Sequence, residues 1–153
     1  MRPIVHAAGF LCACGLALAA CGSDPAPTVE IVEASPTELD PAMDEKDDLT
    51  IVVRYLDEDG DLGGGFAEVH DCRASGVVNR LALPGIASEA AVDEEVRIEG
   101  QLRLVVADVG VVAPGAMPDV CDNASSFCVV LTDAAGNKSE PACTGAISIA
   151  APQ

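Results

Sequence analysis

Residues 127–139 read Phe127-Cys-Val-Val-Leu-Thr-Asp-Ala-Ala-Gly-Asn-Lys-Ser139. Six mostly apolar and β-branched residues run into a polar stretch where Gly136 and Asn137 tolerate positive φ and Asp133 can accept local backbone hydrogen bonds. This chemistry predicts a strand over Phe127–Thr132 that turns back on itself. A hairpin centred on Asp133–Lys138 sets Cys128 opposite Cys143, close enough for a disulfide staple.

Outward from this hairpin the same period-two signal recurs. Val29, Ile31 and then Ala34 alternate with acids from Thr28 onward, and Thr50-Ile-Val-Val-Arg-Tyr-Leu56 is rich in β-branched and aromatic residues. Phe66–Asp71 and Val77–Leu83 are further candidates, the latter ended by Pro84-Gly85. Val96, Ile98, Leu102, Leu104 and Val106 alternate with polar or charged neighbours, which reads as a strand pair or one long bulged strand broken near Gly100. Gly145–Ala150 completes about seven strands. Outside the N-terminal segment no helical stripe exceeds two turns, so the chain is expected to be all-β, an antiparallel β-sandwich.

The 127–139 stretch resembles the last hairpin of bacterial immunoglobulin-like or fibronectin type III-like domains, where an apolar strand runs into Thr-Asp-x-x-Gly-Asn-x-Ser. The resemblance extends loosely over residues 28–150 and implies an immunoglobulin-like β-sandwich. The chain departs from antibody-type domains: it has no Trp, and no Tyr stands two residues before a second cysteine.

The N-terminus is of a different kind. Met1-Arg2-Pro3 is followed by an apolar run from Ile4 to Ala20 broken only by His6, and the run ends in Leu18-Ala19-Ala20-Cys21-Gly22. A positive start, a short apolar stretch and small residues before a cut have the layout of a helical secretory signal peptide over residues 1–20. The Leu-Ala-Ala-Cys arrangement resembles the lipobox of bacterial lipoproteins. That resemblance implies cleavage before Cys21, acylation of its thiol and new amino terminus, and a partner in the lipid bilayer. Several acyl chains hold a protein on a membrane without spanning it. Gly22, where related sorting signals for inner-membrane retention carry Asp, implies the outer membrane rather than the inner. Residues 21–27 would form a lipidated tether, and residues 28–150 the domain.

With Cys12 and Cys14 in the signal and Cys21 assigned to lipid, Cys72, Cys121, Cys128 and Cys143 remain, an even number in an exported domain. Their spacing has no C-x-x-C pair and no His partner, so disulfides are expected rather than zinc. The hairpin favours Cys128–Cys143 with Cys72–Cys121. Cys121–Cys128 with Cys72–Cys143 is the competing pattern.

Composition narrows the function. Acidic residues number 25 against 8 basic, a formal charge of −17, which repels phosphate backbones and argues against nucleic-acid binding. Four aromatic residues without Trp leave no stacking platform for sugars or bases. Of two histidines, His6 lies in the signal, so a His-rich metal site is excluded, and His70, Asp71 and Cys72 alternate across a strand rather than converging.

The motif with chemical content is Asp57-Glu-Asp-Gly-Asp-Leu-Gly-Gly-Gly65, which follows a predicted strand. Carboxylates at alternate positions with intervening glycines suit calcium, a hard cation that takes clustered oxygens. Counted against an EF-hand loop, Asp57, Asp59, Asp61 and Glu68 occupy ligand positions, but Leu62 stands where that loop requires Gly and the flanks read as strands. The expectation is a strand-flanked calcium loop to which Asp133 of the final hairpin could contribute, set against an acidic, solvated turn that keeps a sheet edge from aggregating. A second cluster, Asp40, Asp44, Glu45, Asp47 and Asp48, reads as solvation. The expected function is a non-enzymatic binding or structural module, calcium-stabilised at most, at the bacterial cell envelope. The runner-up is a carboxylate-based envelope hydrolase using Asp57 and Glu68 as acid and base.

Overall fold

A computed structural model describes residues 25–40, 48–73, 78–85, 97–107, 109, 116–124 and 126–150. The expected signal peptide, Cys21, most of the tether and residues 41–47 of the second acidic cluster lie outside the described residues. Among those described the chain is all-β, with no helix. The strands are β1 (Thr28–Ser35), β2 (Glu38–Leu39), β3 (Leu49–Asp57), β4 (Phe66–Asp71), β5 (Val78–Ala82), β6 (Ile98–Val106), β7 (Phe127–Thr132), β8 (Ala142–Cys143) and β9 (Ser148–Ile149). They form one antiparallel sheet in the order β1-β3-β6, a second in the order β5-β4-β7-β8, and a parallel pair β2-β9.

Both larger sheets feed one apolar core. Leu49, Ile51, Val53 and Tyr55 of β3 and Leu104 and Val106 of β6 meet Ala67 and Val69 of β4 and Phe127, Val129 and Leu131 of β7. In β1 the apolar spacing slips by one residue between Ile31 and Ala34. The slip is a β-bulge: the register with β3 shifts between Ile31 and Glu33, so Val29, Ile31 and Ala34 all face the core and Val32 is left exposed.

β6 corrects the expected break near Gly100. It pairs with β3 without a shift from Ile98 to Val106, and Gly100 lies directly opposite Tyr55. A Cβ on Gly100 would stand 2.8 Å from Tyr55 Oη and 3.1 Å from the ring, so the glycine makes room for an aromatic laid across the neighbouring strand. The expected strand over Gly145–Ala150 contracts to β9, and the two-residue strands β2 and β8 add to those read from sequence.

β7 is buried along its whole length. Its inward residues join the main core, while Cys128 on the other face joins Cys72, Cys121, Val120 and Cys143 in a second, smaller cluster. The disulfides are Cys72–Cys121 and Cys128–Cys143. They touch each other, with Cys72 Sγ 3.4 Å from Cys128 Sγ. Near the hairpin tip Thr132 pairs with Lys138, whereas Cys128 pairs with Cys143, so the returning strand holds one extra residue between them. Pro141, which has no N–H to offer a ladder, lies in that stretch.

Candidate metal centre

Strand alternation delivers the first carboxylate of the acidic loop to the interior. Leu49, Ile51, Val53 and Tyr55 point inward along β3, and the next inward position is Asp57, which is 0 % exposed. The chain then bends through Glu58, Asp59 and Gly60, the last at φ 75°. Leu62 is buried and anchors the loop in the main core, while its N–H donates to Asp57 Oδ2 at 2.7 Å. A turn closes with Gly65 N donating to Leu62 O, and Gly64 takes φ 90° within it. At Gly65 the loop crosses β7 so closely that a Cβ would stand 2.0 Å from the carbonyl oxygen of Thr132, a fixed backbone atom. Only glycine fits there.

The loop and the β7–β8 hairpin tip are tied together through Asp61. Ala134 N donates to its backbone carbonyl at 3.1 Å, and Ala135 N donates to its Oδ2 at 3.0 Å. Asp133 shapes the tip itself: Oδ1 accepts from Asn137 N at 2.8 Å and Oδ2 from Asn137 Nδ2 at 3.0 Å. Gly136 completes the turn at φ 95°. β1 starts at this same end, since Thr28 pairs with Leu56 beside Asp57.

Asp57, Asp59 and Asp61 each bring one carboxylate oxygen to within 4.8 Å of the others. The Oδ1 atoms of all three are buried and have no hydrogen-bond partner. Burial, reinforced by the neighbouring Asp59 and Asp61 carboxylates, pushes Asp57 up to about 6 against the opposing effect of the Leu62 N–H. Asp61 is also raised, first by burial and then by the nearby charges of Asp133 and Asp59. Asp133 thus sits next to the trio electrostatically, with both its carboxylate oxygens already bonded to Asn137. Glu68, on β4, is turned elsewhere: its carboxylate lies 3.6 Å from Lys138 Nζ and 4.0 Å from Arg80 Nε, and it does not join the three aspartates.

The raised pKa of Asp57 has a definite consequence for stability. A carboxyl that holds its proton more tightly folded than unfolded stabilises the fold at low pH, and that contribution is lost as pH rises through about 6. In chelator, the protein should therefore gain stability between pH 7.5 and pH 5 relative to an Asp57→Asn variant, measured by urea unfolding. An equal pH response in the two proteins would show that Asp57 is not held in this way.

A second buried carboxylate escaped the sequence reading. Asp71 ends β4 facing inward, and Arg73 grips it with Nε to Oδ1 at 2.8 Å and Nη2 to Oδ2 at 2.7 Å. The same guanidinium lies 4.6 Å from the Phe127 ring centroid and donates to the carbonyl of Val109. The spacing Asp71-Cys72-Arg73 was the only sequence signal, and it gains meaning only once Phe127 and Val109 close over it. His70 faces the other side of β4, and burial lowers its affinity for a proton. Comparison with protein-family models, with curated proteins and with solved structures finds no match to this chain.

Proposed function

We propose that the protein is a non-enzymatic immunoglobulin-like module, held at the bacterial cell envelope by acyl chains on Cys21 and serving there as a binding or structural element. The observation that carries the fold part is the strand order. β1-β3-β6 and β5-β4-β7-β8 correspond to the A-B-E and C′-C-F-G sheets of such domains. Two disulfides fit an exported compartment. The position of Thr28 at the acidic-loop end means that a tether of about seven residues, reaching on the order of 24 Å, would keep this end of the domain near the lipid surface. Gly22 favours the outer membrane over the inner, by resemblance to lipoprotein sorting signals.

A carboxylate-based hydrolase is the second reading, supported by the raised pKa of buried Asp57. Its acid–base partner would have to be found among Asp59 and Asp61, because Glu68 is engaged by Lys138 and Arg80. The anchor is tested by the Cys21→Ser variant expressed in a lipoprotein-processing bacterium. Palmitate incorporation should vanish and the protein should leave the membrane fraction. Unchanged labelling and fractionation would overturn the lipid-anchor reading.

A further inference from the structure

β3 and β4 end alike, each with an aspartate whose inward position on the strand drives it into the interior. An ionised carboxylate survives burial only with a compensating charge or a full set of hydrogen bonds. Asp71 has both: Arg73 holds its two oxygens bidentately, and the backbone N–H of Arg73 adds a third bond at 3.0 Å. Asp57 has neither. Its Oδ2 takes one N–H from Leu62, its Oδ1 takes nothing, and the groups that converge on it are two more acids with unpartnered Oδ1 atoms of their own.

No basic side chain among the described residues offsets this charge. Arg73 is committed to Asp71, Arg54 to Glu30, Arg97 to Glu99, and Arg80 and Lys138 to Glu68, and no ion pair joins Arg103 to the trio. Where the chain after β4 supplies a guanidinium, the chain after β3 supplies two more carboxylates, each within 4.8 Å of the fully buried Asp57 carboxylate, whose Oδ1 is unpartnered.

We propose that Asp57, Asp59 and Asp61 bind one divalent cation, calcium by its chemistry, and that the ion clasps the loop after β3 to the tip of the β7–β8 hairpin. The ligand set is all carboxylate oxygen, the preference of a hard cation. The irregular, glycine-containing loop suits the variable six- to eight-oxygen shell of calcium better than the strict octahedron of magnesium, with loop carbonyls and water completing it. The clasp follows from how Asp61 divides its atoms. Its carbonyl and Oδ2 are spent on Ala134 and Ala135 of the hairpin, leaving Oδ1 for the ion. Fixing that carboxylate fixes the loop–hairpin junction. Glu68 is not a ligand, and Asp133 acts through its charge and its shaping of the tip. This inference uses only residues 57–137 and stands or falls independently of the lipid anchor.

The test uses terbium as a calcium stand-in, because Tyr55 is the only tyrosine, the chain has no Trp, and Tyr55 lies two residues from Asp57 on β3. At that spacing, about 7 Å of strand, tyrosine excitation should sensitise terbium emission. In the full-length, detergent-solubilised protein stripped with chelator, added terbium should luminesce under tyrosine excitation and calcium should quench the signal by displacement. Saturating calcium should also raise the unfolding midpoint by several degrees over chelator. The Asp59→Asn, Asp61→Asn variant keeps an acceptor for Ala135 N, and it should lose both effects. Absence of sensitised emission together with equal midpoints in calcium and chelator for the parent, a comparison that needs no variant, would overturn the proposal. So would a calcium shift that survives unchanged in the variant, which would place the ion elsewhere, such as the Asp40–Asp48 region.

Discussion

Replacing Cys72 and Cys121 together by alanine is expected to destabilise the domain by about 4 kcal/mol, against about 3 kcal/mol for the Cys128 and Cys143 pair. The first bridge spans 49 residues and the second 15, and in the chain-entropy account the longer loop restrains the unfolded chain more. The structure adds a reason for the larger figure. The Cys72–Cys121 bridge holds residues 116–124 against the far face of β7, where Val120 and Cys121 cover Cys128. Because the two bridges are in contact, their losses should not simply add, and the quadruple replacement measures the coupling. Urea unfolding at neutral pH is the measurement. A loss below about 1 kcal/mol for the Cys72/Cys121 pair would contradict the assigned role. A loss of the expected size is a large share of the roughly 5–15 kcal/mol that holds an ordinary domain together.

Phe127→Ala should cost as much, about 4 kcal/mol. Phe127 is the largest fully buried side chain among the described residues and sits in the core shared by both sheets. Removing the ring leaves a cavity between them and takes away the surface on which the Arg73 guanidinium rests, weakening the Asp71–Arg73 pair above it. Phe66 offers the contrast. It is only partly buried, and its ring is faced by Arg80 at 3.4 Å. Phe66→Ala should therefore cost clearly less, near 1–2 kcal/mol. Equal costs at the two positions would mean that the core is not centred on β7.

The Phe127–Ser139 stretch gave a hairpin and its disulfide because its information is local: apolar β-branched residues, then residues that accept a tight turn. Tyr55 and Gly100 show the opposite case. A glycine inside an alternating run suggests a break, and only the neighbouring strand reveals that it accommodates a ring. β2 and β8 are two residues each, too short for any periodicity to show.

The candidate metal centre was partly legible. Asp57, Asp59 and Asp61 stood out by spacing, and the inward alternation of Leu49, Ile51, Val53 and Tyr55 extends to Asp57 as its next member. Glu68 entered by counting along a helix–loop–helix template. On a strand between inward-facing Ala67 and Val69, it points to the other face and meets Lys138 and Arg80 instead. The tie from Asp61 to Ala134 and Ala135 joins residues more than seventy positions apart, and no local pattern encodes it.

The proposed export and lipid anchoring of this disulfide-stapled domain are tested most directly by one intact mass measurement. Protein expressed in a lipoprotein-processing bacterium and extracted from its membranes should give a mass beginning at Cys21, increased by acyl chains, and lighter than the reduced chain by the hydrogens of two disulfides. A mass that retains residues 1–20, or one that starts at another residue without acyl groups, would contradict the account.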